Sequence, residues 1–397
     1  MKKIILKDKK DASLRRFHPW VFSGAVDKME GKVTDGEVVE IYSKSGDYLA
    51  TGHYQNGSIC VRIFSFEKTD ANQEFWTTKL RNAYQYRGNL NLINNPQTNC
   101  YRLVHAEGDG LPGLIIDIYN KTAVLQCHSI GMHLEREKIC KALSEIYGNH
   151  LESIYDKSHD TLPDQYAKNV INNYLYPKDQ PANPSTHQLI LENEYSFIID
   201  WEGGQKTGFF LDQRDNRQLL THYAKDKTIL NTFCYTGGFS VYALNAGADF
   251  VESVDVSQKA IDLTNKNIAL NGNSEKHHAY TQDVIKFLQQ TEKYYDIIIV
   301  DPPAFAKNIS KRHNAVQGYK RLNALALKKV KSGGILFTFS CSQVVDRQLF
   351  YDTIVAAAIE AGRQVRVMHH LNQPADHPVS LFHPEGAYLK GLVLFVL

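Results

Sequence analysis

The sequence predicts an α/β protein in three parts: a small β-rich domain, a central α+β domain and a C-terminal doubly wound sheet. Three observations carry this. From about residue 190, continuous apolar runs over 228–233, 250–254, 295–300 and 335–340 alternate with helical patterns over 239–246, 258–271, 285–290 and 318–330. That alternation is the pattern of strands buried on both faces by crossover helices. Each run ends in polar or small residues, which marks a ligand crevice at the strand C-termini. Residues 1–70, by contrast, are short segments alternating at period two between turn signals.

Taken in order, Gly24, Gly31, Asp35-Gly36, Ser45-Gly46 and Asn56-Gly57 separate runs such as Glu37-Val38-Val39-Glu40-Ile41-Tyr42 and Ile59-Cys60-Val61-Arg62-Ile63-Phe64. Such runs read as half-buried strands. Residues 72–185 mix both periods. A helix is expected over 75–86, strands over 101–105, 114–118 and 123–128, and a second helix over 133–147 closed by Gly148-Asn149. Three prolines within 176–185 mark a linker into the third domain, 190–397.

Composition narrows the class. The 397 residues are 43% hydrophobic and 22% charged, which excludes disordered and fibrous chains. Apolar runs such as 297–300 and 335–339 are strand-sized and fall far short of the roughly 20 residues that cross a bilayer. The opening MKKIILKDKK has only a three-residue apolar run, too short for a signal peptide. Cysteines at 60, 100, 127, 140, 234 and 341 form no CxxC pair, so no metal or disulfide scaffold is expected and a reducing cytoplasm fits. The pairs His277-His278 and His369-His370 lack acid or cysteine partners at ligand spacing and read as surface positions. The net charge of +2 decides nothing, but basic residues run densely from Lys307 through Lys311, Arg312, His313, Lys320, Arg321, Lys328 and Lys329 to Lys331. The stretch is either a set of solvated helix faces or a surface for nucleic-acid phosphates.

The crevice concentrates the chemistry. The first strand runs into Asn231-Thr232-Phe233-Cys234-Tyr235-Thr236-Gly237-Gly238 and a helix ending at Gly247. Glycines there let the backbone approach a ligand closely. The spacing is neither GxGxxG nor a GK[ST] loop, so it supports neither a nicotinamide dinucleotide nor ATP. The next strand ends at Asp255-Val256, near the roughly 20-residue offset at which a carboxylate holds ribose hydroxyls. Asp283 ends a further segment, and Asp301-Pro302-Pro303-Ala304-Phe305 ends another, its prolines stiffening the loop that holds Asp301 at the open edge. A lone acid at a strand end is often only a helix cap, but three in succession after a glycine turn suggest a binding crevice. The last run ends in Ser340-Cys341-Ser342, placing Cys341 at the same rim as Asp301. Cys234 inside the glycine turn reads as a packed thiol, and Cys60, Cys100, Cys127 and Cys140 read as core.

The series Asn231 to Gly238, Asp255, Asp283 and Asp301-Pro302-Pro303 resembles the motif set of class I S-adenosylmethionine methyltransferases, which implies a Rossmann-like domain. By that resemblance Asn231, Phe233, Tyr235 and Gly237 line the methionine moiety, Asp255 and Val256 take the ribose, and Asp283 lies by the adenine. Asp301 would face both the methionine ammonium and the substrate base. Ser340-Cys341-Ser342 resembles the motif of RNA cytosine-C5 methyltransferases. The segment Ser13-Leu14-Arg15-Arg16-Phe17-His18-Pro19-Trp20-Val21-Phe22-Ser23-Gly24 is similar to the opening of the PUA-like RNA-binding domain in the RlmI-type family, which modifies cytosine in large-subunit ribosomal RNA. Arg102-Leu103-Val104-His105-Ala106-Glu107-Gly108-Asp109-Gly110-Leu111-Pro112-Gly113-Leu114 resembles that family's central domain, and Lys206-Thr207-Gly208-Phe209-Phe210-Leu211-Asp212-Gln213-Arg214-Asp215-Asn216-Arg217 its segment before the catalytic sheet.

The resemblance implies Cys341 and Asp301 as catalytic residues, S-adenosyl-L-methionine as cofactor and ribosomal RNA as partner, with no membrane and no metal; a homodimer stays open. Cytosine C5 is a weak nucleophile, and a thiolate adding at C6 makes C5 carbanion-like. The thiol then needs nearby positive charge. Arg15, Arg16, His18 and Trp20 either pair with phosphates and stack on a base or form a surface turn, with Trp20 by itself read as tucked into a small core; Lys311, Arg312 and Lys320 are expected along the RNA backbone. The stretch 203–217 reads as a glycine turn entering a helix with Asp212 as N-cap, or, by resemblance, as a lid beside the cofactor. One departure matters: Ala304 follows the prolines where many RNA cytosine-C5 enzymes carry a second cysteine. Two rivals remain: methylation of an exocyclic base nitrogen, which Ala304 in place of an aromatic disfavours, and a non-catalytic RNA-binding factor.

Overall fold

The computed structural model describes residues 1–177, 187–306 and 308–397. Most of the expected linker 176–185, and Lys307, therefore lie outside the described residues. The chain forms two compact units: Met1–Ile190 with Asp200–Phe209 and Ala375–Gly386, and Leu191–Ile199 with Phe210–Pro374 and Ala387–Leu397.

The first unit holds two sheets. Six strands in the order Trp20–Phe22, Ile59–Ser65, Tyr48–Tyr54, Val38–Tyr42, Lys2–Leu6 and Val26–Met29 form the first. Their alternation buries Ile4, Leu6, Val39, Ile41, Val61 and Ile63 on one core. Lys2–Leu6 pairs parallel to Val38–Tyr42, while the remaining pairings are antiparallel. The second sheet orders Asn173–Tyr176, Ser153–Asp156, Thr122–Cys127, Leu114–Tyr119 and Cys100–His105. Helices Gln73–Asn89 and Arg136–Tyr147 share its core through Trp76, Leu80, Ile139 and Leu143. The single helix expected over 133–147 is two, Ile130–Leu134 and Arg136–Tyr147. The Ser129 hydroxyl caps the first by accepting from the Met132 N–H at 3.4 Å.

The second unit is the doubly wound sheet. Its elements in chain order are α1 (Arg214–Ala224), β1 (Thr228–Thr232), α2 (Gly238–Asn245), β2 (Phe250–Asp255), α3 (Gln258–Leu270), β3 (His277–Thr281), α4 (Val284–Gln290), β4 (Tyr295–Val300), α5 (Arg312–Lys329), β5 (Val330–Ser340), α6 (Arg347–Ala361), β6 (Val365–Leu371) and β7 (Lys390–Val396). The strands lie in the order β3-β2-β1-β4-β5-β7-β6. β1 to β5 pair parallel with one another, and β7 runs antiparallel to both β5 and β6. The order reverses between β1 and β4, the switch point outside which ligands bind in such sheets.

Two packing details explain sequence features. α5 begins at Arg312 rather than at Gly318, which sits inside the helix. A Cβ there would come within 3.0 Å of the Phe305 ring, so the glycine lets the loop after Asp301 lie against α5. Arg217 on α1 is buried and makes two 2.8 Å bonds to the Glu192 carboxylate, whose Oε1 also accepts from the Tyr242 hydroxyl at 2.9 Å.

Candidate active site

Parallel register sets the site. Thr232 lies opposite Val254 on one side and Val300 on the other, and Val300 lies opposite Thr338. The chain therefore leaves β1, β2, β4 and β5 at one edge of the sheet. Phe233, Asp255 and Asp301 stand at that edge, and Cys341 follows Ser340, the last residue of β5.

The loop after β1 is tightly wound. Phe233 and Tyr235 both adopt positive φ, 56° and 48°, a conformation that non-glycine residues take up at a cost of order 1–3 kcal/mol. Gly237, at φ 76°, completes the turn, and a Cβ there would meet Thr264 at 2.7 Å. Asp255 secures this loop: its Oδ2 accepts from the Tyr235 N–H at 3.1 Å and its Oδ1 from the Ser257 N–H at 2.9 Å. The Thr264 hydroxyl donates to the Tyr235 carbonyl at 2.8 Å. Asn231 is buried inside, its amide donating to the Ser240 hydroxyl at 2.8 Å. Val256 projects outward, 73% exposed. Asp283 caps α4, accepting from the Lys286 N–H at 2.9 Å.

Asp301 is held by residues remote in sequence. Its Oδ2 accepts from the Gln213 amide at 3.0 Å, and the Gln213 Oε1 accepts from the Asn216 amide at 2.6 Å. Asn216 also donates to the Asn372 carbonyl at 3.3 Å. Asp212 is not the expected cap. It lies in the 3₁₀ turn Leu211–Gln213, α1 starts at Arg214, and the Asp212 carboxylate instead accepts from the Tyr388 hydroxyl at 2.6 Å. Phe210, in the same stretch, packs edge-on against the Tyr235 ring at 5.1 Å.

Cys341 is partly buried, whereas the other five cysteines are buried. Burial pushes the Cys234 thiol up to about 12, as fits a packed thiol. After Cys341 the chain turns through Ser342, whose hydroxyl donates to the Ala306 carbonyl at 2.8 Å and ties the Cys341 loop to the Asp301 loop. Tyr319 on α5 lies between them electrostatically: burial pushes its phenol up to about 12, and charge on Cys341 and on Asp301 adds to the shift. Lys390, the first residue of β7, pairs with Ser340 and sends its buried ammonium to the Ser342 and Val345 carbonyls, 2.6 Å each.

The basic residues differ among themselves. Arg15 bonds Asp11 and Asp47 at 2.7 and 2.8 Å, and Arg16 donates to the Ala12 carbonyl at 3.1 Å. Lys311 and Arg312 are exposed at the start of α5, while Lys320 pairs with Glu360 at 2.9 Å. Trp20 in the first unit donates to Glu107 at 2.8 Å.

Two histidines expected at the surface are instead engaged. His277 is partly buried, 2.8 Å from the Ser253 hydroxyl, and His369 Nε2 lies 2.6 Å from the Tyr223 hydroxyl. Among the described residues, His18, His383 and Glu385 are close enough to share an ion. However, His18 Nδ1 accepts from the Trp20 N–H at 3.3 Å, which leaves the ring proton on Nε2, 3.5 Å from Glu385. That is a histidine–carboxylate pair, the reverse of a ligand whose second nitrogen donates outward.

Tyr388 and Lys390 were missed by sequence reasoning, while Gln213 and Asn216 were included only as members of the stretch 203–217, with no role of their own. A polar residue shortly before a catalytic strand carries no periodic signal, and Lys390 opens a strand whose neighbours are apolar.

Comparison with known proteins bears on the family and the fold. Residues 4–66 match the model of a PUA-like domain, and residues 157–394 that of S-adenosylmethionine-dependent methyltransferases. The chain is 39% identical over 396 residues to the ribosomal RNA large subunit methyltransferase I of Alteromonas mediterranea, covering 98% of both. It is 40% identical over 399 residues to that of Tolumonas auensis, again covering 98% of both. A solved Streptococcus mutans chain, described as a candidate SAM-dependent methyltransferase, shares the fold with a TM-score of 0.84 at 24% identity over the full length of both.

Proposed function

The chain belongs to the ribosomal RNA large subunit methyltransferase I family, and from that premise we propose that it methylates C5 of a cytosine in large-subunit ribosomal RNA through Cys341. It is an S-adenosylmethionine-dependent methyltransferase. The observation that carries the finer reading is the placement of Cys341 just beyond β5, at the same sheet edge as Asp301, with the two loops joined through Ser342.

The strand-edge residues suit the donor: Asp255 ends β2 where ribose hydroxyls would be bound, and Asp301 offers an anion to the methionine ammonium. When bound, S-adenosylmethionine supplies an electrophilic methyl group. The Cys341 thiolate forms a bond to C6 of the cytosine, and the C5–C6 π pair moves into the ring. C5 would then take the methyl as its bond to the donor's sulfonium sulfur breaks and leaves a neutral thioether, a base would remove the C5 proton, and the returning electron pair would expel the thiolate. Asp301, steadied by Gln213, bonds the polar edge of the ring and holds the base over the thiol. The target is unpaired or flipped, because the base in a duplex is out of reach. Arg15, Arg16, Lys311 and Arg312 lie on phosphates, and Lys320 joins them by exchanging Glu360 for RNA. A cytoplasmic location accords with this substrate, and among the described residues no helix is long and apolar enough to cross a membrane.

The test is product identity. Ribosomal RNA lacking the modification is incubated with the protein and labelled S-adenosylmethionine, and nucleosides are separated by mass. 5-Methylcytidine confined to large-subunit RNA is expected; a methyl on an exocyclic nitrogen would overturn the reading.

A further inference from the structure

Lys390 has no part in the mechanism as described, yet it is buried, with only 4% of its surface exposed, next to the reactive cysteine. β7 pairs with β5 so that Lys390 lies opposite Ser340, the residue before Cys341. Its ammonium donates to the Ser342 and Val345 carbonyls, 2.6 Å each, and so bridges the turn that follows the thiol. Neutral carbonyls alone are poor compensation for a buried cation, which requires a negative partner nearby. We propose that Lys390 is a positioning residue for Cys341: it clamps the turn that presents the thiol and supplies the positive charge that favours the thiolate.

Charge coupling supports the geometry. Burial lowers the Lys390 ammonium to about 8, and charge on Cys341 works against that loss, so thiolate and ammonium favour one another. Arg347 pushes in the same direction as burial, and Asp346 opposes it. Tyr319 also senses charge on Cys341, its phenol staying neutral at pH 7, and Asp301, which Tyr319 senses too, is held by Gln213. A lowered thiol pKa is what makes a cysteine nucleophilic at neutral pH. The proposal rests on Cys341 being the nucleophile, and its test separates the two.

The experiment measures iodoacetamide alkylation of Cys341 against pH in the full chain, with Cys341→Ser as background, because the other five cysteines are buried. Lys390→Gln keeps hydrogen-bond donors and removes the charge, Lys390→Met removes both, and Lys390→Arg keeps the charge. Lys390→Gln and Lys390→Met should raise the midpoint and slow alkylation at pH 7 by roughly tenfold, about one unit of thiol pKa. S-adenosylmethionine binding should stay within about twofold, and Lys390→Arg should keep the low midpoint. A wild-type midpoint in Lys390→Gln overturns the electrostatic role whatever happens to Lys390→Met. If Cys341→Ala still transfers methyl groups, the nucleophile assignment fails. Unchanged alkylation of Lys390→Gln, in a protein that Cys341→Ala inactivates, fails the Lys390 proposal alone.

Discussion

Asp301 and Gln213 show how a single hydrogen bond apportions roles between residues. Asp301 touches the substrate base in the proposed reaction, whereas Gln213 acts through Asp301, 3.0 Å away. Asp301→Asn should lower kcat by roughly a hundredfold or more, the scale of losing a positioned polar group at the reacting centre. Gln213→Ala leaves the carboxylate present but less well oriented, and should cost about tenfold. Steady-state methyl transfer to RNA checks the order; equal losses would mean that Gln213 contacts substrate itself. The sequence displayed Asp301 plainly, because two prolines after an apolar run are conspicuous. It concealed Gln213, an ordinary polar residue 88 positions away in the chain. The same holds for Asp212, whose cap-like position before α1 suggested a local role, while its actual partner, Tyr388, is brought in by the fold.

Among elements, legibility followed burial only in part, since β7 is apolar and buried yet was not read as a strand. β1, β2, β4 and β5 were visible as apolar runs because both faces are covered. β3 was not, since an edge strand reading His277-His278-Ala279-Tyr280-Thr281 is only partly buried and has no apolar periodicity. β6 carries exposed Arg366 and Val367 and was equally silent. The partnership of Glu192 with Arg217 and Tyr242 was invisible for a different reason: it joins a strand, α1 and α2 through buried polar atoms rather than by pattern. Removing one member of a buried pair strands the other charge, at about 3–5 kcal/mol. Glu192→Leu should therefore lower the denaturant midpoint by that equivalent, read from urea unfolding of the full chain. A loss below about 1 kcal/mol would show that water reaches Arg217 after all.

At the scale of the molecule, acid sensitivity follows from histidines buried without charge. Burial lowers His53 to about 3, and His277, which is partly buried, to about 4, from 6.5. Both His53 nitrogens lack hydrogen-bond partners, and the ring packs against Phe64 and Trp76. Because the folded values lie below the unfolded one, the unfolded chain binds more protons between them, and stability rises with pH across that window. The stabilising margin is complete above about pH 6.5 and is lost as pH falls towards 4. Thermal unfolding at constant ionic strength should show Tm falling between pH 7 and pH 4.5, with a shallower slope in His53→Leu. A flat profile would mean that these rings are protonated in the fold.

The proposed reaction turns on one covalent bond, between Cys341 and C6 of cytosine. The direct measurement is to incubate the protein and S-adenosylmethionine with RNA in which 5-fluorocytosine replaces the target base. Fluorine leaves no C5 proton to remove, so the thiolate cannot be expelled after methyl transfer. A denaturation-resistant protein–RNA adduct, mapped to Cys341 and absent in Cys341→Ser, is the predicted result. Methyl transfer to unsubstituted RNA by Cys341→Ala, with no adduct from the wild type, would contradict it.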